Sequence, residues 1–389
     1  MSAAIIGWGH TQFGKRGEET LESLIVQAAG EALAHAGMAA ADVDEIVLGH
    51  FNAGFSAQEF TAGLVLQTDP ALRFKPATRV ENACASGSAA VFQALRAIES
   101  GAAKVVLCVG AEKMTDTRGP QIGNNLLRAA YLAEEGETEG GFAGMFGIVA
   151  ERYFQRYGDQ SDALALIAEK SHRNAVGNPY AQMRTDLGFA FCREESDRNP
   201  RVAGPLKRTD CSLVSDGAAA LVIADLDYIS DVQRAVKFRG RGHVQDFLPM
   251  SRRDVLALEG CTQAWKKALG EAAVNLGDLS FVETHDCFTI AELLEYEAMG
   301  LTEPGQGARA IKEGWVYMDG RLPINPSGGL KAKGHPIGAT GVSMHALTAM
   351  QLCGDAPEGI QIANASLGGV FNMGGMAVAN YASVLERVV

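Results

Sequence analysis

Apolar positions along the chain fall into short continuous runs separated by stretches of helical spacing. Residues 3–6 read as a strand, 21–35 as a helix with small, alanine-rich faces, and 42–48 (DVDEIVL) as a helix start followed by a strand. A further strand ends at Arg79-Val80, and ENACASGSAAVFQALRAIESG reads as a loop and a long helix closed by Gly101. AKVVLCVGAE is apolar almost without interruption, the pattern of a strand covered on both faces, with Cys108 inside it. Strands alternating with helices predict an α/β layered domain.

Residues 118–207 break this rhythm with glycine clusters, the charge runs AEEGETEGG and CREESDRNPRV, and amphipathic helical patterns at 148–157 and 162–174. They read as an insertion packed over the sheet. Strand character returns at 211–224 (CSLVSDGAAALVIA), and from about residue 236 the plan starts again. Helix 260–275 followed by GDLSFVETHDCF mirrors helix 21–35 followed by DVDEIVLGHF. GHPIGATGVSMHALTAM with GIQIANASLGG mirrors ACASGSAAVFQALRAI with KVVLCVGAE, each a Gly-rich turn, a helix and a buried strand. This predicts two pseudo-equivalent halves, 1–117 plus 208–235 and 236–389, with 118–207 inserted in the first.

The candidate chemistry sits at the ends of these elements. Residues 325–341, NPSGGLKAKGHPIGATG, form a stiff glycine loop feeding a helix, with His335 at its mouth. A helix start presents unpaired N–H groups and the positive end of the helix dipole. A phosphate cradle is the competing reading, but neither GxGxxG after a strand nor GxxxxGK[ST] occurs there. Cys84 holds the mirrored position in ENACASGSAA, where the dipole is expected to lower the thiol pKa; a lone cysteine in such a place is more often structural. If the halves match, a thiol and an imidazole meet on one floor, an activated-nucleophile pair. His285 and Cys287 follow a strand in ETHDCF and point to one side of the chain. A zinc site is disfavoured because no second ligand pair has suitable spacing; an acid/base thiol beside an oxyanion donor fits better. Residues 365–369 (ASLGG) place another strand end at glycines, suited to a backbone oxyanion contact. Asp286 is expected to orient its turn and His50 to be a packed or interface histidine.

Composition narrows the field. Lys plus Arg total 34 against 46 Asp plus Glu, a net charge of −12, which argues against general binding to nucleic acid or anionic membranes. No apolar run approaches the roughly 20 residues of a membrane helix. The start MSAAIIGWG has no signal-peptide pattern and the end LERVV no peroxisomal address, so a cytoplasmic location is expected. Seven cysteines without CxxC pairs read as free thiols.

Taken together, GHPIGATG, the cysteine of ENACASGSAA, the SDGAAALV strand and HDCF resemble the thiolase family over essentially the whole chain. HDCF is similar to the sterol-carrier-protein-type branch, where most thiolases carry an Asn-Glu-Ala-Phe run. The resemblance implies a five-layer α/β/α/β/α fold and a coenzyme A-dependent acyltransferase of lipid metabolism, cleaving 3-ketoacyl-CoA or running the reverse Claisen condensation. It needs no permanently bound cofactor and no metal. By motif, Cys84 would be the acylated nucleophile, and His335 would activate it and bind the thioester oxygen. Cys287 would be the acid/base thiol, and His285 a donor to the thioester enolate. The N–H groups of Cys84 and Gly368 would hold the oxyanion of the tetrahedral intermediate. Ser212 and Met145 would contact substrate, Met145 within an MFG that only loosely matches the family's Met-Gly run. The usual C-x-G cysteine would be replaced by Ser366. A homodimer or homotetramer is implied, and some members of the branch work with a small OB-fold partner. The alternatives are a related condensing acyltransferase, since ACASG also resembles the ketoacyl-synthase nucleophile turn, and a partner-dependent acyl-CoA-binding subunit.

Overall fold

The computed structural model describes residues 3–228 and 232–388. The first half runs β1 (Ala3–His10), α1 (Leu21–Ala36), β2 (Glu45–Gly49), β3 (Ala77–Val80), α2 (Ser86–Glu99) and β4 (Val105–Glu112). Helices α3 (Gly119–Leu127), α4 (Leu132–Glu135), α5 (Gly141–Tyr157), α6 (Ser161–Ala175) and α7 (Gly188–Arg193) follow, then a hairpin of β5 (Arg201–Ala203) and β6 (Leu206–Lys207). β7 (Gly217–Asp225) returns to the first sheet. The second half comprises β8 (Val236–Gln245), α8 (Glu259–Ala272), β9 (Phe281–Glu283), α9 (Thr289–Ala298), α10 (Gly307–Lys312), α11 (Ile337–Cys353), β10 (Leu367–Gly374) and β11 (Ala379–Arg387).

Strand alternation explains the layering. In the first half-sheet Ile46, Leu48, Leu107, Val109, Ala220 and Val222 pack toward Leu24, Ile25 and Ala28 of α1. Their neighbours Val47, Val106, Cys108, Leu221 and Ile223 pack toward Val91, Ala94 and Leu95 of α2. Both faces are apolar because both are covered; each buried Val, Leu or Ile is worth about 1.5–3 kcal/mol. α8 covers β8 and β11 on the far side, and α2 with α11 fills the middle. The order is helix, sheet, helix, sheet, helix, the five-layer α/β arrangement the sequence implies.

The two halves share one topology. β2 is parallel to β3 and β4, β4 is antiparallel to β7, and β7 is antiparallel to β1. Correspondingly, β9 is parallel to β10, β10 is antiparallel to β11, and β11 is antiparallel to β8. A single parallel bridge from Val282 to Ile324 stands where a counterpart of β3 belongs. The half-sheets meet through Ala4–Lys237 and Ile5–Val236, giving one continuous sheet in the order β3-β2-β4-β7-β1-β8-β11-β10-β9.

Three expectations change. The strand expected across GIQIANASLGG begins only at Leu367, because the preceding backbone is held by side chains. Gln351 Oε1 of α11 accepts from Ile362 N–H at 2.7 Å, and Gln361 Nε2 donates to Gln351 O at 3.0 Å. The strand expected from 211 begins at Gly217, after Asp216, whose carboxylate accepts the N–H groups of Met114 (2.7 Å), Thr115 (2.8 Å) and Arg16 (3.0 Å). The 118–207 helices sit on the loops of the second half rather than over the sheet. Lys170 Nζ donates to Ile324 O at 3.0 Å, Asn174 Nδ2 to Asn325 O at 3.0 Å and Asn178 Nδ2 to Ser327 O at 2.8 Å.

Candidate active site

Close packing of α2 on α11 brings two helix starts together. A Cβ on Gly87 would lie 2.7 Å from Gly341 N, and one on Gly341 would lie 2.1 Å from Ser88 N, so both positions need glycine. Cys84 precedes α2 in a tight turn. Asn82 N–H donates to Ser86 Oγ at 2.9 Å, Ser86 Oγ donates to Ala83 O at 2.7 Å, and Ala83 takes φ +49°. That left-handed conformation costs a β-carbon-bearing residue energy and is held here by the surrounding bonds.

His335 precedes α11. Its N–H donates to Ser215 Oγ at 3.0 Å, and its Nδ1 lies 2.7 Å from Thr340 Oγ1. Thr340 Oγ1 already donates its one hydrogen to Pro336 O at 3.0 Å, so it accepts from Nδ1–H. Nε2 of His335 therefore carries the lone pair, and that atom is buried with no partner among the described residues.

His285 and Cys287 follow β9. Thr284 N–H donates to Asn325 Oδ1 at 2.8 Å and His285 N–H to Glu295 Oε2 at 3.1 Å. Asp286 accepts from Leu330 N–H at 2.6 Å and Lys331 N–H at 3.3 Å, which ties the HDCF turn to the loop leading to His335. Cys287 O accepts from Ser212 N–H at 2.9 Å. Ser212 thus lies against the backbone of the HDCF turn. Met145, only 1% exposed, is buried in the core next to Phe146, whose ring stacks on Phe288 at 4.3 Å.

One potential ligand atom each from Cys84, His285 and His335 lies within 4.8 Å of the others. The imidazole centroids are 5.2 Å apart with planes at 85°, and His285 Nε2 is also buried with no partner among the described residues. Spacing in the sequence could not reveal this three-atom cluster, since its members come from three separate loops. Phe51, Phe55, Met114 and Ile337 form the apolar surroundings of Cys84.

These surroundings reverse one electrostatic expectation. Burial pushes the Cys84 thiol up to about 12, with the charges of Glu112 and Glu81 adding to the rise. The N–H groups of Gly375 and of Cys84 itself act the other way and do not overcome it. Burial, and then the neighbouring Cys84, also raise the Cys287 thiol well above its ordinary value. Burial, helped by Lys333, lowers His335 to about 3; burial, helped by His335, holds His285 well below the usual range. Each of these shifts favours the neutral form of its group. Proton transfer from Sγ to a lone pair at Nε2 can therefore accompany attack by the thiol.

The backbone contact expected from Gly368 comes from elsewhere. Gly368 pairs with Phe281 and Leu385 at the start of β10, six residues, or about 20 Å of extended strand, before Gly374. Ser366 is at that same remote end, its N–H donating to Ser280 Oγ at 3.0 Å. The far end of β10 approaches Cys84 instead. A Cβ on Gly374 would lie 2.2 Å from Asn82 O, and the N–H of Gly375 reaches the Cys84 thiol. Asn372, Thr340 and Glu112 were also passed over in the sequence. Glu112, fully buried, accepts from Phe51, Asn52 and Gly338 N–H, each at 3.0 Å, and lies 3.1 Å from His50 Nε2. His50 is accordingly a packed residue. A buried polar residue in an apolar strand, as Asn372 is in LGGVFNMGG, was the available signal.

Comparison with known proteins gives the lineage. The family profile "Thiolase, N-terminal domain" matches residues 3–227, and "Thiolase C-terminal domain-like" matches 242–387. The chain is 35% identical over 377 residues to the acetyl-CoA acetyltransferase of Methanothermobacter thermautotrophicus, covering 96% of each chain. It is 30% identical over 371 residues to sterol carrier protein 2 of Homo sapiens, covering 90% of this chain and 66% of that longer one. Among solved structures, the "Ltp2-ChsH2(DUF35) aldolase" superposes with a TM-score of 0.80 at 23% identity, covering 99% of this chain and 97% of that one. Human mitochondrial 3-ketoacyl-CoA thiolase in complex with CoA gives 0.74 at 18% identity, covering 100% and 98%. The fold, the profile matches across both halves and the acetyltransferase relative agree: this chain belongs to the thiolase family.

Proposed function

We propose that the protein is an acyl-CoA C-acyltransferase that cleaves 3-ketoacyl-CoA with coenzyme A, or runs the reverse condensation, through an acyl-enzyme on Cys84. One observation carries this reading: Cys84, His285 and His335 each bring one ligand atom within 4.8 Å of the others, both imidazoles have a buried Nε2 with no partner among the described residues, and the Cys287 thiol is close enough to Cys84 to be raised by it. The acetyl-CoA acetyltransferase relative supports the same substrate class.

In cleavage, the Cys84 proton passes to His335 Nε2 as Sγ attacks the 3-keto carbon. The N–H groups of Gly375 and Cys84, which act on the thiol, hold the resulting oxyanion, Gly375 taking the role that the family resemblance implies for Gly368. When the C2–C3 bond breaks, its electron pair leaves as the acetyl-CoA enolate. Its oxygen accepts from His285, and its carbon takes the proton of Cys287. The coenzyme A thiol then attacks the acyl group, giving its proton to the Cys287 thiolate, while His335 returns its proton to Cys84. Every group ends as it began, and no permanent cofactor is required.

The same reading takes 118–207 as the segment covering coenzyme A, between halves 1–117 plus 208–235 and 236–389, with Ser212 and Met145 on the substrate side. It places the protein in the cytoplasm as a homodimer or homotetramer. β3 is an edge strand, and Phe60 and Phe74, 93% and 85% exposed, lie in the segment that leads into it, the surface a second copy would cover. No helix among the described residues is long and apolar enough to cross a membrane. A small OB-fold partner is compatible with this architecture.

The test is coenzyme A-dependent cleavage of acetoacetyl-CoA and a longer 3-ketoacyl-CoA, with intact-mass detection of acyl-enzyme. Wild type should turn over and acylate; Cys84→Ala should do neither; Cys287→Ala should acylate without turning over. Failure of wild type to acylate with any acyl-CoA would remove Cys84 as nucleophile.

A further inference from the structure

Asn372 stands on β10 among apolar neighbours and is fully buried. Its Nδ2 lies 3.1 Å from Cys84 O and 2.8 Å from His285 Nδ1. A backbone carbonyl can only accept, so the group facing Cys84 O is the NH2 end of the amide, and the side chain has one orientation. The second hydrogen of that NH2 points to His285 Nδ1, which must offer a lone pair. A neutral imidazole carries one N–H, so the proton of His285 sits on Nε2, the atom with no protein partner. Thr340 imposes the opposite arrangement on His335.

We propose that Asn372 is a positioning residue for the reaction, holding His285 in the Nε2–H tautomer so that this imidazole donates to substrate while the neighbouring His335 accepts. The inference deepens the thiolase reading and rests on it for the meaning of the donor. One amide and one hydroxyl thereby give two identical side chains opposite duties within one buried cluster. The same lock bears on metals. Cys84, His285 and His335 could converge on a cation, but His285 turns a proton, not a lone pair, toward that space. Relieving this needs an acceptor at Nδ1, as in sites where a carboxylate orients a zinc-bound histidine.

Asn372→Asp is the decisive variant, because a carboxylate can only accept. It draws the imidazole proton to Nδ1 and leaves a lone pair at Nε2. Cleavage of acetoacetyl-CoA should fall by about 10²- to 10³-fold in kcat, the size of a lost oxyanion donor. Part of it should return on lowering the pH, as His285 becomes an imidazolium and regains Nε2–H. Zn²⁺ should inhibit the variant at concentrations at least about 10-fold below those needed for wild type. The tautomer is read without activity by 15N NMR of histidine-labelled wild type, with the His285 signals assigned from His285→Gln. Nε2 should be protonated and Nδ1 bare in wild type, and the two reversed in Asn372→Asp. Wild-type His285 protonated at Nδ1 would overturn the proposal, as would an Asn372→Asp variant with undiminished kcat or with an unchanged pH profile and zinc sensitivity. If wild type cleaves no 3-ketoacyl-CoA but shows the Nε2–H tautomer, the thiolase reading fails while the positioning of His285 stands.

Discussion

Gly87 of α2 and Gly341 of α11 touch backbone to backbone: a Cβ on the first would come within 2.7 Å of the second's amide nitrogen. This contact lets two helices from different halves present Cys84 and His335 to one another. Gly341→Ala should push against Ser88 N and the Asn372 amide, destabilising the fold by about 1–3 kcal/mol through overpacking. It should also reduce kcat at temperatures where the variant remains folded. Thermal unfolding and steady-state cleavage measure the two effects; unchanged values of both would show that the helices separate without cost.

Reactivity of Cys84 should follow a neutral, buried thiol. With burial holding it up at about 12, alkylation by iodoacetamide should be slow at pH 7 and still climb through pH 9, without the plateau of a thiolate formed at low pH. Mass spectrometry of alkylated Cys84 across pH checks this. A plateau near pH 6 would instead indicate an ion pair with His335 in the resting protein.

Thr340→Val removes the acceptor of His335 Nδ1–H and with it the control over which nitrogen keeps the lone pair. Acylation of Cys84 should slow by about 10- to 100-fold, the cost of one buried hydrogen bond left unmade, while Thr340→Ser stays near wild type. Stopped-flow or quenched-flow acylation at saturating acyl-CoA makes the comparison.

Acid stability should depend on Asp216. Burial alone would raise its pKa, but bonds from the Thr115 hydroxyl and N–H, Lys113 and Arg16 N–H outweigh it and hold the carboxyl below its ordinary 3.8. A group depressed on folding contributes stability above its unfolded pKa, about 3.9, and loses it as pH falls through the folded value. The stability gap between wild type and Asp216→Asn should therefore be full at pH 6 and shrink below about pH 4, as read by urea unfolding.

Much of this was legible in the sequence. Short continuous apolar runs pointed to the strands, and the repeated turn–helix–strand order anticipated the shared topology of β2–β4 and β9–β10. Cys84, His285, Cys287 and His335 could be named because each stands where a strand or a glycine loop meets a helix or turn. Gly368 and Ser366 misled because a strand in an α/β fold offers its functional backbone at its C-terminal end, and ASLGG lies at the start of β10. Gly374-Gly375 lie at its finish. The raised pKa of Cys84 was out of reach for another reason. A helix dipole can be inferred from local sequence, whereas desolvation depends on Phe51, Phe55, Met114 and Ile337 converging from distant segments. Asn372 and Thr340 act on tautomers, which only an orientation in space can reveal.

Sixteen consecutive residues of α11, Ile337 to Leu352, are buried. A helix with no side for water cannot exist as a soluble intermediate, because it is satisfied only after both half-sheets have closed over it. The polypeptide segment that carries His335 is therefore a liability until late in folding, when unassembled copies would stick to one another. Catalytic competence and protection from aggregation arrive in the same event, so a destabilised variant of this protein should be lost to insoluble material rather than persist as a weakly active soluble form.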